Sequence, residues 1–154
     1  AYQAAGQPGE AIDALRMAIR LRPGSSRYRL RLARLFRERG QLDQALSVLM
    51  ELEQEAPEDH RIALERGLVH EARRQLREAL NAYQRAIELN GASPAAHYHA
   101  GMVLKALKAY PHAAQQLQRA VDLSPDDSQA LQQLAAVRAL ELVHGGIQPS
   151  GVTP

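Results

Sequence analysis

The chain of 154 residues contains no cysteine. That excludes a disulfide framework, a thiolate nucleophile and a thiolate metal site. Aromatic residues make up only 4%, so a core has to be built from alanine and leucine rather than large rings. No apolar run approaches the ~20 residues needed to span a bilayer. The compartment is left open, with a cytoplasmic location favoured. An excess of one charge is missing too: 19 basic residues face 17 acidic ones, a formal net charge of +2. So even a balance does not by itself imply nucleic-acid binding, and the distribution of the charges has to decide. Glycine and proline are spaced along the chain instead of clustering, which argues against disorder.

What the chain does have is 45% hydrophobic residues, mostly Ala and Leu, set among many Arg, Glu and Gln. These are good helix formers, and the composition predicts an all-α fold. Alanine recurs every 34 residues, at Ala11, Ala45, Ala79 and Ala113. Ala18, Leu52, Ala86 and Ala120 follow seven residues later, and then Pro23, Pro57, Gly91 and Pro125. The small residues Ala33, Gly67, Gly101 and Ala135 form another column, and Leu15, Leu49, Tyr83 and Leu117 a third. Such periodicity signals a stacked repeat.

Within a unit the apolar spacing is helical. Ala113, Leu117, Ala120 and Val121 keep one face apolar, and Pro23, Pro57 and Pro125 each follow such a run, where a helix stops. Further breaks fall near Gly40 and Arg74. Each unit therefore reads as two helices of about 13 residues joined by a tight turn. Small residues on facing surfaces let the two backbones approach closely.

This pattern closely resembles the tetratricopeptide repeat family over residues 1 to 143. One unit carries Gly101, Ala113, Leu117, Ala120 and Pro125 at the signature positions, and the preceding unit Gly67, Ala79, Tyr83, Ala86 and Gly91. The chain departs from the family where a large aromatic is common, with Arg29, Ala63, His97 and Leu131. Leu52 replaces the second alanine in one unit, and Arg66 stands where Leu is usual. The resemblance implies a right-handed superhelical solenoid of antiparallel helix pairs. Its register gives a partial repeat over 1–25, full repeats over 26–59, 60–93 and 94–127, a capping helix over 128–143 and a flexible tail or linker over 144–154. Residues 1–6 are expected to end a first helix, with residues 8–22 as its partner. That places Tyr2 partway through a repeat, so the sequence is expected to be a piece of a longer one.

The resemblance also implies a concave surface lined by the first helix of each pair. The first full repeat contributes Arg27, Leu30, Arg31 and Arg34, and the second Arg61, Leu64 and Leu68. The third adds Tyr98, His99 and Met102, and the capping helix adds Gln132. Arg37, Glu65 and Glu71 share this register. Arg27, Arg31 and Arg34 lie within about 60° of one another on a helix at 100° per residue. Their guanidiniums are suited to carboxylates or phosphates, while Leu64, Leu68, Tyr98 and Met102 offer apolar contact beside them. The expected ligand is a peptide or protein with acidic and apolar anchors. Chaperone-binding members of the family hold a C-terminal carboxylate with Lys and Asn. The matching positions here are Leu30, Arg34, Glu65, Ala95 and His99, so that clamp is missing.

No catalytic residues, cofactor or metal are expected. Gly6-Gln7-Pro8-Gly9 is taken as a turn between helices, not a phosphate loop. His97 and His99 are two apart, and on a helix they diverge by about 200°, unlike a chelating pair. His60, His70, His112 and His144 are scattered without a triad partner. Asp126 and Asp127 suit a first-turn structural role. Two alternatives to the groove remain. One is nucleic-acid binding through the Arg-rich helix 26–39, disfavoured because it lacks free aromatics for stacking. The other is self-assembly or regulation within a larger protein, with homo-oligomers formed through the terminal helix or tail.

Overall fold

The computed structural model describes residues 8–145, and among these residues it contains eight α-helices and no strand. In chain order they are α1 (Pro8–Leu21), α2 (Ser26–Glu38), α3 (Leu42–Glu55), α4 (His60–Ala72), α5 (Leu76–Leu89), α6 (Pro94–Ala106), α7 (Tyr110–Leu123) and α8 (Ser128–Gly145). Helix starts repeat with the alanine interval: Pro8, Leu42, Leu76 and Tyr110 for one set, Ser26, His60, Pro94 and Ser128 for the other. Each of α1, α3, α5 and α7 ends two residues before the Pro23, Pro57, Gly91, Pro125 column.

The ends have local causes. Asp59 accepts a hydrogen bond from the Arg61 amide at 3.0 Å, and Ser93 accepts one from Ala96 at 3.3 Å, so each caps the helix that follows. Asp127 accepts from the amides of Gln129 and Ala130, the first-turn role expected for it. The turn inside each pair passes through left-handed backbone at Gly40 (φ 74°), Arg74 (φ 61°) and Lys108 (φ 62°). These three are 34 residues apart, and only Gly40 takes that conformation without a steric cost.

Packing runs between helices adjacent in sequence, with α4 on α5 and α6 on α7 the most extensive pairs. Contacts of α2 with α4 and of α6 with α8 tie the successive first helices together. The core lies inside the pairs: Ala33, Ala45, Leu49, Leu52, Ala79, Tyr83, Ala113 and Leu117 are fully buried. Burying one such Leu contributes ~1.5–3 kcal/mol. Facing residues are matched in size. A Cβ on Gly67 would lie 2.4 Å from the Tyr83 ring, and one on Gly101 would lie 2.7 Å from Leu117 Cγ. The buried Tyr83 thus stands opposite a residue with no side chain.

The departures from the repeat pattern are absorbed locally. Ala63 and His97 are buried where the large aromatic is common. Arg66 at the usual Leu position donates to Glu53 at 2.6 Å. Helix α1 begins at Pro8, the start of the expected 8–22 span, and Pro8 and Gly9 therefore belong to the helix and not to the Gly6–Gly9 turn also read there, because proline suits the first turn of a helix, where no amide partner is lost. At the other end α8 continues to Gly145, two residues past the expected 143. There His144 stacks on Tyr110 at 5.2 Å, which anchors the last turn. The expected first-helix end at 1–6, Gly6 and Gln7 of the turn, and tail residues 146–154 lie outside the described residues.

Candidate functional site

The arginine-rich helix α2 turns Leu30, Leu32, Ala33 and Phe36 into the core, and its arginines divide by the helices they meet. Arg29, pointing toward α3, makes a two-pronged pair with Glu55. That hydrogen bond is the main reason the Glu55 carboxyl is held below its usual range. Arg34 Nε donates to Glu65 Oε1 at 2.7 Å, and Arg37 Nε donates to Glu65 Oε2 at 3.1 Å. Glu65 is only 3% exposed, and a buried carboxylate is tolerable only with such partners. Arg27 and Arg31 are exposed. They have no hydrogen-bond or ion-pair partner among the described residues.

Beside these two guanidiniums lies a cleft of about 800 Å3 between α1, α2 and the start of α4. Ala14, Leu15, Leu30 and Leu35 supply its apolar wall, and Arg27, Arg31, Arg34 and Arg61 its cationic groups. Arg61 is partly committed, since its Nη2 donates to Asp59 at 2.7 Å. That contact holds the Asp59 carboxyl below its ordinary range. Leu30 belongs to the floor of the cleft and also to the core, at 8% exposed, so it is less open than the groove register implied.

The remaining sequence-derived groove residues lie apart from this cleft. Leu64 and Leu68 pack, half-buried, against the cluster of Ala79, Tyr83, Ala100 and Val103. Tyr98 packs beside Leu117 and Val137, and burial raises its phenol. His99 stacks on Tyr83 at 5.5 Å and meets Tyr98 edge-on at 5.3 Å. Its Nδ1 is 3.5 Å from Glu71 Oε2, the same oxygen that accepts from the Tyr83 hydroxyl at 2.5 Å. Burial opposes ionisation of Glu71, but the bonds from His99 and Tyr83 prevail and hold its carboxyl below its usual range. Burial, then the Glu71 contact, pushes the Tyr83 phenol far upward. Met102 is half-buried on α6, and Gln132 is exposed on α8. His97 is a buried side chain whose ring nitrogens contact Gln116 Oε1 at 2.7 Å and the Gly91 carbonyl at 3.0 Å. Among the described residues no cluster of His, Asp or Glu suited to a metal is present, and no helix is long and apolar enough to cross a membrane.

Sequence models of the tetratricopeptide repeat match residues 2–66 and 64–128 in succession. The chain belongs to the tetratricopeptide repeat family. As an array of that family it is a protein-interaction scaffold, built on a fold that carries no catalytic centre of its own. Among solved structures it is similar to MamA, with a TM-score of 0.78 and 20% identity over 91% of this chain and 80% of that one. It is also similar to YrrB, described as a TPR protein with an unusual peptide-binding site (TM-score 0.77, 22% identity, 88% and 70% covered). The second TPR domain of human RPAP3, in complex with the HSP70 peptide SGPTIEEVD, aligns with a TM-score of 0.65 and 16% identity, covering 86% of this chain and 98% of that one. At these identities the likeness concerns the fold. Curated protein sequences give no match.

Proposed function

We propose that this repeat array binds a peptide or protein segment carrying carboxylates and apolar side chains, and that the cleft beside α2 is where the carboxylates are held. One observation carries the reading: Arg27 and Arg31 stand exposed, with no partner among the described residues, on the rim of an apolar-walled cleft. Two free guanidiniums one helical turn apart can each grip a carboxylate with paired hydrogen bonds, while Leu15 and Leu35 receive an apolar neighbour. Leu64, Leu68, Tyr98, His99, Met102 and Gln132 would extend the contact along the successive first helices. All of these but the exposed Gln132 are half-buried, which gives them a secondary share in it. The RPAP3 domain, whose peptide ends in Glu-Glu-Val-Asp, illustrates that the fold accommodates acidic segments. Here the arginines would take the place of the Lys and Asn clamp.

Nucleic acid is the weaker reading, because Arg29 is paired with Glu55, and Arg34 and Arg37 share Glu65. That leaves too few free cations in a row to follow a phosphate backbone.

The test is anisotropy of short labelled Glu/Leu peptides, with Lys/Leu peptides as the control. The acidic peptides are expected to bind and the basic ones not to. Arg27→Glu with Arg31→Glu should weaken binding at least tenfold, with helicity by circular dichroism unchanged. Undiminished binding by the folded double variant would remove the cleft from the site.

A further inference from the structure

Two positions of the repeat face each other across a helix pair. On α6 and α7 they are His97 and Gln116, where the imidazole Nδ1 meets Gln116 Oε1 at 2.7 Å. In the unit before, on α4 and α5, the same positions are Ala63 and Ala82. Both are buried, at 4% and 8% exposed, yet side chains this short leave the place of the imidazole unfilled. They line a pocket of about 210 Å3. It shares no residue with the cleft beside α2.

The rim of this pocket interrupts three apolar columns of the repeat at once. Glu53 stands where the units on either side have Ile19 and Ile87. Arg66 stands where they have Leu32 and Ala100, and His70 where they have Phe36 and Leu104. All three line the pocket. Arg66 is bridged to Glu53 at 2.6 Å, and His70 Nδ1 lies 2.9 Å from Gln75 Oε1. Packing does not require these groups, because apolar side chains serve the same columns one unit away. Drawing polar groups out of water is itself unfavourable. Helix α5 adds Glu78, Asn81 and Arg85 to the rim. Glu78 and Asn81 are exposed, and their side chains have no hydrogen-bond or ion-pair partner among the described residues. Glu53 and Glu78 balance Arg66 and Arg85, so the rim does not select an ion of either sign.

We propose that this pocket is a second binding site, taking a tyrosine or tryptophan side chain from a partner protein. The ring lies on the Ala63–Ala82 floor, in the place that a ring already occupies one unit on. Arg66 and Arg85 offer cations to its face, and Glu78 and Asn81 accept from its O–H or N–H. Size agrees: a cavity of about 150 Å3 suffices for benzene, whereas drug-sized ligands need about 300 Å3 or more. Beside the pocket a hollow of about 270 Å3 shares Glu53, Arg66 and His70 and adds Leu46 and Met50. It leaves room for the residue next to the aromatic one. The site stands apart from the carboxylate cleft and does not depend on that reading.

The chain contains no tryptophan, so indole signals report the ligand alone. N-acetyltryptophanamide, N-acetyltyrosinamide and N-acetylleucinamide are titrated against the full chain by saturation-transfer NMR. Both aromatic probes are expected to saturate, and the leucine probe to bind at least about fivefold more weakly. Ala63→His with Ala82→Gln installs the side chains of the next unit and fills the pocket. This variant should weaken the aromatic probes by about tenfold or more, with helicity by circular dichroism retained. Arg66→Leu, which restores the apolar column, should weaken them about threefold. Arg27→Glu with Arg31→Glu is expected to bind them as wild type does.

Absence of saturation by the aromatic probes would overturn the proposal, as would equal binding of the leucine probe. Undiminished binding by the folded, filled variant has the same consequence. Where that variant does not fold, undiminished binding by Arg66→Leu removes the site.

Discussion

The α1–α2 end of the array and its middle, α4 to α6, carry the same repeat register with opposite consequences. In the middle, Ala79 of the 34-residue column is fully buried, and charged groups of the inner register are tied into bridges: Glu65 between Arg34 and Arg37, Glu71 between Tyr83 and His99. At the α1–α2 end Ala11 is exposed, and Arg27 and Arg31 have no partner among the described residues. A position in a repeat therefore does not have a fixed role. It is structural where an adjacent helix supplies a counter-charge or a small residue, and it stays open to solvent where none of the described residues does.

The contrast breaks most visibly in the alanine column. Ala79→Leu is expected to cost about 3 kcal/mol, since the extra methyl groups enter a fully packed interface. Ala11→Leu is expected to change stability by less than about 0.5 kcal/mol. Chemical denaturation of the two variants measures both, and equal losses would mean that α1 is as tightly covered as α5. Next comes Gly67→Ala, expected to cost about 2 kcal/mol because its Cβ has to displace the Tyr83 ring. Pairing it with Tyr83→Leu should recover part of that loss in a double-mutant cycle.

Smaller effects separate the arginines. Arg34→Ala leaves Glu65 with one guanidinium and is expected to cost about 1 kcal/mol, tempered by the solvent exposure of Arg34. Arg31→Ala should cost less than about 0.5 kcal/mol while weakening acidic peptides. The smallest effect is a pH dependence. Glu71 is held below its ordinary 4.5, so the stability it contributes is complete above that value. It fades as pH falls through the lowered one. The melting-temperature gap between wild type and Glu71→Gln should accordingly shrink on acidification below pH 4.5. A gap that widens instead would contradict the pairing of Glu71 with His99 and Tyr83.

Much of the fold was legible because its signals are local. Helix stops coincide with the Pro and Gly column because proline cannot continue a helix, and the turns near Gly40 and Arg74 fall where the periodicity lapses. The expected start of α1 at residue 8 agrees with the structure; reading Pro8-Gly9 as part of a turn as well was the error, since proline is equally at home in a first helical turn. The end of α8 was misplaced because the His144–Tyr110 stack joins residues 34 apart, with no local trace.

Site residues were harder for the same reason. Arg27, Arg31 and Arg34 share a face that angular spacing alone reveals. That Arg34 is half-spent on Glu65 depends on the position of α4. Glu65 itself, placed in the groove register as a surface charge, is instead a buried acceptor. One signal could have found it, a lone acid in that register two residues before the small residue of α4, facing an arginine four residues after the small residue of α2.

The sequence by itself determined the helical repeat, its register and the small residues at close contacts, because backbone dihedral preference and apolar period act over a few residues. Which charges remain free was decided only by the tertiary structure. A guanidinium's partner lies about thirty residues away on another helix, and a counter-charge counts only at contact distance. That Arg27 and Arg31 find no partner among the described residues, on which the proposed binding site depends, is a property of the stack rather than of helix α2.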